Sequence, residues 1–290
     1  MIAALAANTP EISSAVTALL VGQHDIGVGI IIGSSIFNLA ALLGLSALIA
    51  GGLPVRRQGI IFDGAASLMV ILVLVLLVFR FISAPVSLML LMLLLVPYII
   101  VSSLKPDQIK KWRLPEKVYA FLIVVIAQTR HASSEPKMVI SKSWSWAWMG
   151  GLALIAIIVT SMGMVRSAIF LSSAWGISTA IVGMLILAAL TGIPNVITSI
   201  RLALGRRGTA VMSESLNSNT LNILFGICVP AAILSFAPLS ERNIFSVWWL
   251  VGTTVTALVL LYFNRGLNRM AGAIIVGLYL VFVVLMIGWM

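Results

Sequence analysis

Residues 191–199 read Thr191-Gly192-Ile193-Pro194-Asn195-Val196-Ile197-Thr198-Ser199, and residues 217–222 read Asn217-Ser218-Asn219-Thr220-Leu221-Asn222. A weaker copy of the pair stands near the N-terminus, as Asn8-Thr9-Pro10-Glu11 and Gly33-Ser34-Ser35-Ile36-Phe37-Asn38. In each copy 28 residues separate the proline from the last asparagine, and a constant offset of 184 relates the two copies. Polar groups that recur at equal spacing between apolar runs predict an internal duplication that builds one site.

The composition indicates a membrane protein. Hydrophobic residues make up 61% of the 290-residue chain, charged residues make up 9%, and the mean hydropathy is +1.16. An ordinary soluble domain has about 25% charged residues. Several apolar runs reach the roughly 20 residues that a helix needs to cross a bilayer. Because every backbone polar group must be paired inside the membrane, these runs predict helices, and the fold class is an all-α polytopic membrane protein.

The hydropathy pattern predicts about nine transmembrane segments in two repeats. The first repeat, residues 1–104, comprises a short helix remnant within 1–20 and spans near 27–50, 60–82 and 84–104. Residues 105–143 form a basic loop, in which the apolar piece 119–127 is too short to span and is expected to lie on the surface. The second repeat, residues 144–290, has five spans, near 145–165, 176–200, 209–235, 245–264 and 270–290.

The distribution of Lys and Arg predicts the orientation. If residues 105–143 are cytoplasmic, 15 of the 18 basic residues fall on the cytoplasmic side and three on the other. The two proline segments then cross the membrane in opposite directions, which predicts inverted-topology repeats, the arrangement that places a transport site at the midplane. The net charge of +10 therefore reflects membrane topology rather than nucleic-acid binding, and a prokaryotic cell membrane is the expected location.

The first repeat is shorter than the second. At the offset of 184, Met1 corresponds to Leu185, so the counterparts of roughly one and a half helices are absent from the first repeat. A start codon further upstream, a shortened paralogue and a separate peptide that completes the fold are all open explanations. A homo-oligomer is open as well.

The chemistry of the repeated motifs suits cations. A proline inside a helix frees a carbonyl, and freed carbonyls, hydroxyls, amides and carboxylates are hard oxygen ligands for Na⁺ or Ca²⁺. Glu11 is the leading candidate for a cation ligand, because a carboxylate at bilayer depth usually marks an ion or proton path. The alternative is that Glu11 lies near a membrane interface and is simply hydrated. The sequence has no His/Cys cluster for zinc and no Ser-His-Asp set, so we expect no enzyme activity and no cofactor, with the transported cations as substrates.

One face of a helix carries the second polar motif. Glu214, Ser218 and Asn222 are spaced by four residues and so share a face, and Ser34 and Asn38 occupy the matching face in the first copy. Such side chains either coordinate ions or join helices through hydrogen bonds. For Glu214 the alternatives of a path residue and a structural acid stay open.

Other residues have a structural interpretation. Asp63 follows Arg56 and Arg57 closely, which predicts a charge pair at the membrane interface. Small residues allow helices to pack closely. The glycines expected to do so are Gly29, Gly33, Gly44, Gly150 and Gly151.

At these motifs the chain resembles the sodium/calcium exchanger superfamily of cation/Ca²⁺ antiporters. Members carry Gly-Thr-Ser-Leu-Pro-Glu-like and Gly-Ser-Asn-Ile-Phe-Asn-like motifs in two inverted repeats, and the resemblance covers nearly the whole chain outside the central loop. It implies a central cation site whose metal ligands are Glu11, Ser34, Asn38, Ser218 and Asn222. Further cation-binding candidates are Asn8, Asn195 and the Thr191 backbone, with Glu214, Ser35 and Asn219 as possible ion-path residues.

The chain departs from the family pattern at four positions. Asn195 replaces a second glutamate, Ala7 a threonine, Ser35 an asparagine and Gly192 a serine. The resemblance implies antiport of Na⁺ or H⁺ against Ca²⁺ or another cation. One carboxylate in place of two weakens divalent binding, because the number of charged ligands tunes Ca²⁺ affinity. Exchange of monovalent cations or protons and a transport-inactive, partner-binding paralogue are therefore the alternatives.

Overall fold

The computed structural model describes residues 7–104, 106–109, 115–133, 144–234 and 238–289. Parts of the chain discussed above, residues 1–6 and 134–143 among them, lie outside these ranges. The helices are α1 (Thr9–Leu20), α2 (His24–Ala50), α3 (Arg57–Val78), α4 (Ala84–Ser103), α5 (Pro106–Ile109), α6 (Glu116–Ser133), α7 (Trp144–Trp175), α8 (Thr179–Leu204), α9 (Gly208–Leu234), α10 (Glu241–Phe263) and α11 (Arg269–Gly288). Two short strands, β1 (Leu53–Pro54) and β2 (Gly266–Leu267), pair antiparallel.

Eight of these helices are long and apolar enough to cross a membrane: α2, α3, α4, α7, α8, α9, α10 and α11. The shorter α1, with 12 residues, is the predicted helix remnant. The expected all-α polytopic fold is confirmed. Helix α6 has 18 residues and is not among the eight. It packs against α3, α4 and α9 and buries Val125 and Ile126, so it is longer than the predicted apolar piece and lies against the bundle.

The duplication extends to the ends of the helices. Adding 184 to the bounds of α1 gives 193 and 204, the last part of α8, and adding it to the bounds of α2 gives those of α9. For α3 the sum is 241–262, against 241–263 observed for α10. For α4 it is 268–287, against 269–288 observed for α11. The offset seen in a few polar residues therefore describes whole helices.

The helix that carries the asparagine motif changes from α-helical to π-helical turns just after the motif in both repeats. In α2 the α-helical turns stop at Asn38 and a π-helical segment runs over Leu39–Leu45. In α9 the segment Leu224–Cys228 is π-helical and begins two residues after Asn222. π-helical turns are rare and are found mostly at functional sites. They mark the ends of the two asparagine motifs as special in both repeats.

The two copies run in opposite directions. Four spanning helices, α2, α3, α4 and α7, lie between α1 and α8 in the chain, and successive spans alternate in direction. Helix α1 and its counterpart in α8 are therefore antiparallel, which is the inverted repeat expected from the charges. Within this sequence, α7 and residues 179–184 of α8 have no counterpart in the first repeat, since Leu185 corresponds to Met1.

Glycines allow α2 to cross the first part of α8 at very short range. A Cβ atom on Gly33 would lie 2.6 Å from the Met184 Cα, and one on Gly183 would lie 2.8 Å from the Ile26 carbonyl oxygen. Gly29 and Gly44 also face neighbouring backbone, at Ala180 and Gly272. The expectation of close packing is wrong for Gly150 and Gly151, which lie on an exposed part of α7 with open space around them.

Candidate cation site

The two proline motifs meet where α1 contacts α8. Pro10 lies in the first turn of α1, where a missing N–H costs nothing, whereas Pro194 lies inside α8. The carbonyl that loses its helical donor is that of Leu190, four residues before Pro194. The Thr191 hydroxyl donates to the Leu187 carbonyl at 2.9 Å, so this side chain is satisfied within its own helix.

Asn195 joins the two motifs directly. Its Nδ2 lies 3.3 Å from Glu11 Oε1 and 3.1 Å from Asn8 Oδ1, and all three side chains are buried. Glu11 and Asn195 are separated by 184 residues, so they are counterparts in the two repeats. Counterparts can touch only near the axis that relates the repeats. The glutamate and the asparagine that replaces its partner therefore face each other across the pseudo-two-fold axis.

A second pair of counterparts meets in the same way. Asn219 Nδ2 donates to the Ser35 carbonyl at 3.0 Å, again at a separation of 184 residues. Asn219 Oδ1 accepts a hydrogen bond from Asn38 Nδ2 at 3.2 Å. The Asn219 amide thus has both ends engaged, and it holds α9 against α2 at the axis.

This bridge sets the direction of the Asn38 amide. Since Asn38 Nδ2 faces Asn219, its Oδ1 points away and lies 4.0 Å from the place where a Cβ on Gly192 would be. The Asn38 backbone carbonyl accepts from Ser215 Oγ at 3.2 Å. Asn38 Oδ1, which has no hydrogen-bond partner among the described residues, therefore points into the space between α2 and α8.

Unpaired buried polar atoms coincide with the sequence motifs. Buried polar groups in proteins normally have hydrogen-bond partners. Among the described residues, seven motif side chains have buried atoms without one: Asn8 Nδ2, Glu11 Oε2, Ser34 Oγ, Ser35 Oγ, Asn38 Oδ1, Ser218 Oγ and both amide atoms of Asn222. Unpaired atoms also occur at Asn243, Trp249 and Thr254 in α10. What distinguishes the motif set is that it belongs to helices that contact one another around the repeat axis.

Glu214 lies at the edge of this group. It is half-buried on α9, one turn before Ser218, and its Oε2 accepts from Ser199 Oγ on α8 at 3.3 Å. Ser35 is buried and its hydroxyl has no hydrogen-bond partner in the described part of the chain. Every residue that the motifs singled out therefore lies on α1, α2, α8 or α9 or, in the case of Asn8, directly before α1, and these four helices contact one another.

The structure adds residues that the motifs did not point to. Ser199 and Ser215 are buried and hydrogen-bond to Glu214 and to the Asn38 backbone. Ser14, three residues after Glu11, is buried, and its hydroxyl has no hydrogen-bond partner among the described residues. The available signal was helical spacing, because Ser14 and Ser199 lie three and four residues after Glu11 and Asn195 and so share their faces.

The expected charge pair of Asp63 with Arg56 and Arg57 is wrong. Asp63 accepts hydrogen bonds from Tyr98 and Ser213, whereas the Arg57 guanidinium lies over the Tyr262 ring, 5.0 Å from its centre. Because an α-helix turns about 100° per residue, Asp63 and Arg57, six residues apart, leave α3 on faces about 120° apart.

The donor set has a single central carboxylate. No group of three or more His, Cys, Asp or Glu that could hold a metal ion occurs within the described ranges. Glu11 is accompanied by amide and hydroxyl oxygens, which are hard ligands suited to Na⁺, Ca²⁺ and similar cations. The arrangement can bind a cation without a covalent step, since no activated nucleophile accompanies it.

Two inverted repeats whose buried polar side chains meet at the repeat axis are an arrangement found in membrane transporters. The chain belongs to the sodium/calcium exchanger family, whose model, described as sodium/calcium exchanger protein, matches residues 1–105 and 145–288. It is similar to sodium/potassium/calcium exchanger 2 of Gallus gallus, with 33% identity over 117 residues. That match spans 38% of this chain and only 18% of the relative's length.

Two solved structures share the fold. A structure of the sodium-calcium exchanger NCX_Mj soaked with zero Na⁺ and Ca²⁺ has 20% identity and a TM-score of 0.58, and the match covers 97% of this chain and 83% of that one. Native YfkE has 16% identity and a TM-score of 0.64, with 97% and 80% covered. At these identities the similarity establishes the fold alone.

Proposed function

We propose that the protein is a secondary active antiporter that exchanges Na⁺ or H⁺ for Ca²⁺ or another cation by alternating access. The contact between the counterparts Glu11 and Asn195 carries this proposal, because it puts the central carboxylate on the axis between two inverted halves. A site on that axis is related in the same way to both membrane faces. A rocking of one repeat against the other would therefore open it to either side in turn.

The proposed metal ligands are five of the seven motif side chains with unpaired atoms. Glu11 supplies the charge, and Ser34, Asn38, Ser218 and Asn222 supply hydroxyl and amide oxygens from α2 and α9. Asn8, Asn195 and Thr191 lie directly beside Glu11 or on the adjoining turn of α8 and complete the proposed site. The name of the chicken relative, a sodium/potassium/calcium exchanger, supports Na⁺ and Ca²⁺ as substrates.

Exchange of monovalent cations is the second candidate. The Asn195 amide donates toward Glu11 where a second carboxylate would otherwise stand, so the central charge is −1 when Glu11 is ionised. A site with one charge balances Na⁺ fully and Ca²⁺ only by half. We also propose that residues 105–143 face the cytoplasm of a prokaryotic cell, as the charge asymmetry predicts.

Reconstitution tests the proposal. Purified protein in lipid vesicles loaded with Na⁺ is expected to take up radiolabelled Ca²⁺ when the Na⁺ gradient points outward, and uptake should stop when a Na⁺ ionophore removes the gradient. Two further experiments distinguish Ca²⁺ exchange from exchange of monovalent cations. One uses vesicles with a pH gradient, and the other gives the vesicles radiolabelled Na⁺ in place of Ca²⁺. A folded protein that moves neither ion in any of these conditions would refute antiport and favour a partner-binding role.

Restoring a second carboxylate should shift selectivity toward divalent cations. In Asn195→Asp the new carboxylate lies close to Glu11, because the replaced amide nitrogen is 3.3 Å from Oε1. Two adjacent charges repel unless a cation joins them, so we expect the apparent Ca²⁺ affinity to rise about tenfold, or ~1.4 kcal/mol. The half-saturating Ca²⁺ concentration for exchange measures this. Asn195→Ala is the control, and an equal gain in both variants would contradict a charge effect.

A further inference from the structure

A second buried carboxylate lies outside the proposed cation site. Asp63 on α3 is 8% exposed and accepts from Ser213 Oγ of α9 at Oδ2. The Tyr98 hydroxyl of α4 lies 2.9 Å from Asp63 Oδ1 and 2.9 Å from Asn217 Oδ1 of α9. The ring of Phe62 stacks on Tyr98, with centroids 4.9 Å apart, and fixes the position of the hydroxyl. Three helices thus converge on one acid.

The hydrogens in this cluster do not suffice when Asp63 is ionised. Tyr98 has one hydroxyl hydrogen, and it faces two acceptors, Asp63 Oδ1 and Asn217 Oδ1. The Ser213 hydrogen serves Asp63 Oδ2, and the Ser102 hydroxyl donates to the Tyr98 backbone carbonyl at 2.7 Å. The Tyr98 hydroxyl can therefore donate to Asp63 Oδ1 or to Asn217 Oδ1 but not to both. The other 2.9 Å contact then brings two oxygen atoms together with no hydrogen between them.

One added proton completes the network. With a proton on Oδ1, Asp63 donates to Tyr98, and Tyr98 donates to Asn217. Each short contact then contains one hydrogen, with the Asn217 amide oriented as it stands. The other remedy is to turn that amide so that Nδ2 donates to Tyr98, which leaves Asp63 ionised. The two arrangements differ in the number of bound protons and can be told apart by experiment.

The internal duplication does not require this cluster. Adding or subtracting 184 relates Asp63 to Val247, Tyr98 to Phe282, Ser213 to Gly29 and Asn217 to Gly33. All four counterparts are apolar or lack a side chain. The four matching positions of the other repeat therefore carry no hydrogen-bonding side chain, and the polar contact between α2 and α10 lies elsewhere, where Asn243 Nδ2 donates to Asp25 Oδ1 at 2.7 Å. A buried acid costs stability, so its presence on one side only points to a role besides packing.

The side chains shown to hydrogen-bond to Asp63 in the described part of the chain are neutral. Helix α4 presents Tyr98, and α9 presents Ser213. The nearby Glu214 on α9 is directed to Ser199 on α8. From α10, Tyr262 lies under the guanidinium of Arg57.

The remaining charged groups on the helices packed against α3 lie toward helix ends. Arg56 precedes α3 and is exposed, Arg207 precedes α9, and Glu241 and Arg242 begin α10. Helix α6 carries Glu116 and Lys117, both exposed, and Tyr119. It also carries Arg130 and His131, whose side chains lie outside the described part of the structure.

We propose that Asp63, Tyr98 and Asn217 form a proton-binding site that is separate from the cation site. The proton binds Asp63 Oδ1, and the Tyr98 hydroxyl turns from Asp63 to Asn217 as it binds. Ser213 and Asn217, which hydrogen-bond to Asp63 and Tyr98, are half-buried, whereas Asp63 is buried. Asn217 is followed directly by Ser218, so the hydrogen bonds that change with the proton belong to the helix that carries two of the proposed cation ligands.

Infrared difference spectroscopy tests proton binding without any need for transport. The purified full chain in lipid vesicles, compared between acidic and alkaline pH, is expected to show the C=O stretch of a protonated carboxyl that Asp63→Asn removes. Tyr98→Phe should retain this band and shift it to higher frequency, because the carboxyl O–H loses its acceptor. Glu116→Gln, which changes an exposed acid, is the matched control and should leave the band in place.

Two results would overturn the site. A band that persists in Asp63→Asn belongs to another carboxyl, and the absence of any band that depends on Asp63 means that the Asn217 amide supplies the hydrogen. Should Asp63→Asn fail to fold, the Tyr98→Phe spectrum decides: a shift supports the site and an unshifted band refutes it.

Coupling of this proton to exchange rests on the proposed antiport. Ca²⁺ uptake is measured at two pH values, one on either side of the infrared midpoint. In the wild type the two rates are expected to differ several-fold, and in Asp63→Asn they should be equal. An unchanged ratio of the two rates in that variant would refute the coupling. A clear Asp63 band in a protein that exchanges no cation would instead refute antiport while supporting proton binding, so the two failures are distinguishable.

Discussion

Replacing Glu11 with glutamine is expected to reduce Na⁺-driven Ca²⁺ uptake to the level of vesicles without protein. Glutamine has the same shape, and its Oε1 still accepts from Asn195 Nδ2, so the contact between α1 and α8 survives. The variant loses the one carboxylate that lies on the repeat axis. Removing the charged partner of a buried ion typically costs about 2–5 kcal/mol, which is roughly a 30-fold or greater loss of affinity.

Uptake and equilibrium binding should change together in this variant. Radiolabelled Ca²⁺ uptake measures exchange, and calorimetric titration of the purified protein with Ca²⁺ or Na⁺ measures affinity. Glu241→Gln is the matched control because it removes an exposed carboxylate at the start of α10, and it should exchange at the wild-type rate. If Glu11→Gln bound and exchanged cations as well as the wild type, the assignment of Glu11 as the central ligand would be wrong.

Replacing Gly33 with alanine is expected to destabilise the folded protein severely. The new methyl group would lie 2.6 Å from the Met184 Cα and even closer to the Met184 carbonyl oxygen, where real Cβ atoms do not occur. The obstacle is backbone, so no side-chain rotation relieves it, and α2 and α8 must move apart. Overpacking a core usually costs about 1–3 kcal/mol, and a backbone clash belongs at the upper end of that range or above it.

This loss of stability is measured as a lower thermal midpoint of the protein in detergent. The midpoint is determined by size-exclusion chromatography of samples heated to a series of temperatures. The matched control is Gly163→Ala in α7, where a Cβ would meet nothing within 4 Å. There alanine should be neutral or raise stability by about 0.5–1 kcal/mol, since glycine is the poorer helix former. Equal midpoints for the two alanine variants would mean that α2 and α8 do not cross at Gly33.

The sequence predicted the architecture well because the membrane imposes local rules. A span must be apolar over about 20 residues, and this requirement can be recognised along the chain without knowledge of its neighbours. The offset of 184, first seen between the prolines and asparagines of the motifs, also relates the first and last residues of four pairs of helices. The pairs are α1 with the end of α8, α2 with α9, α3 with α10 and α4 with α11. Helix ends were less well predicted, since α7 runs to Trp175 rather than stopping near residue 165.

The residues of the candidate site were predictable, and their connections were not. Periodicity placed Glu214, Ser218 and Asn222 on one face, and the structure keeps them on α9. It did not predict that Asn219 would bridge Asn38 and Ser35 and so turn the Asn38 oxygen toward α8. Such a bridge depends on how two helices are rotated against each other, which neither helix specifies alone.

Asp63 and the glycines illustrate the same limit. Proximity in the chain suggested Arg56 and Arg57 as partners of Asp63, but the partners come from α4 and α9, 35 and 150 residues away. Gly33 and Gly150 look alike in sequence, yet one lies against the backbone of α8 and the other faces open space.

The sequence by itself determined the membrane class, the inverted duplication and the residues of the candidate cation site, because hydropathy, charge asymmetry and repeat spacing are properties of the linear chain. Only the tertiary structure decided which residues meet at the repeat axis. It brought Glu11 to Asn195, joined Asp63 to Tyr98 and separated two sets of glycines, because contacts between helices depend on their crossing points and rotations.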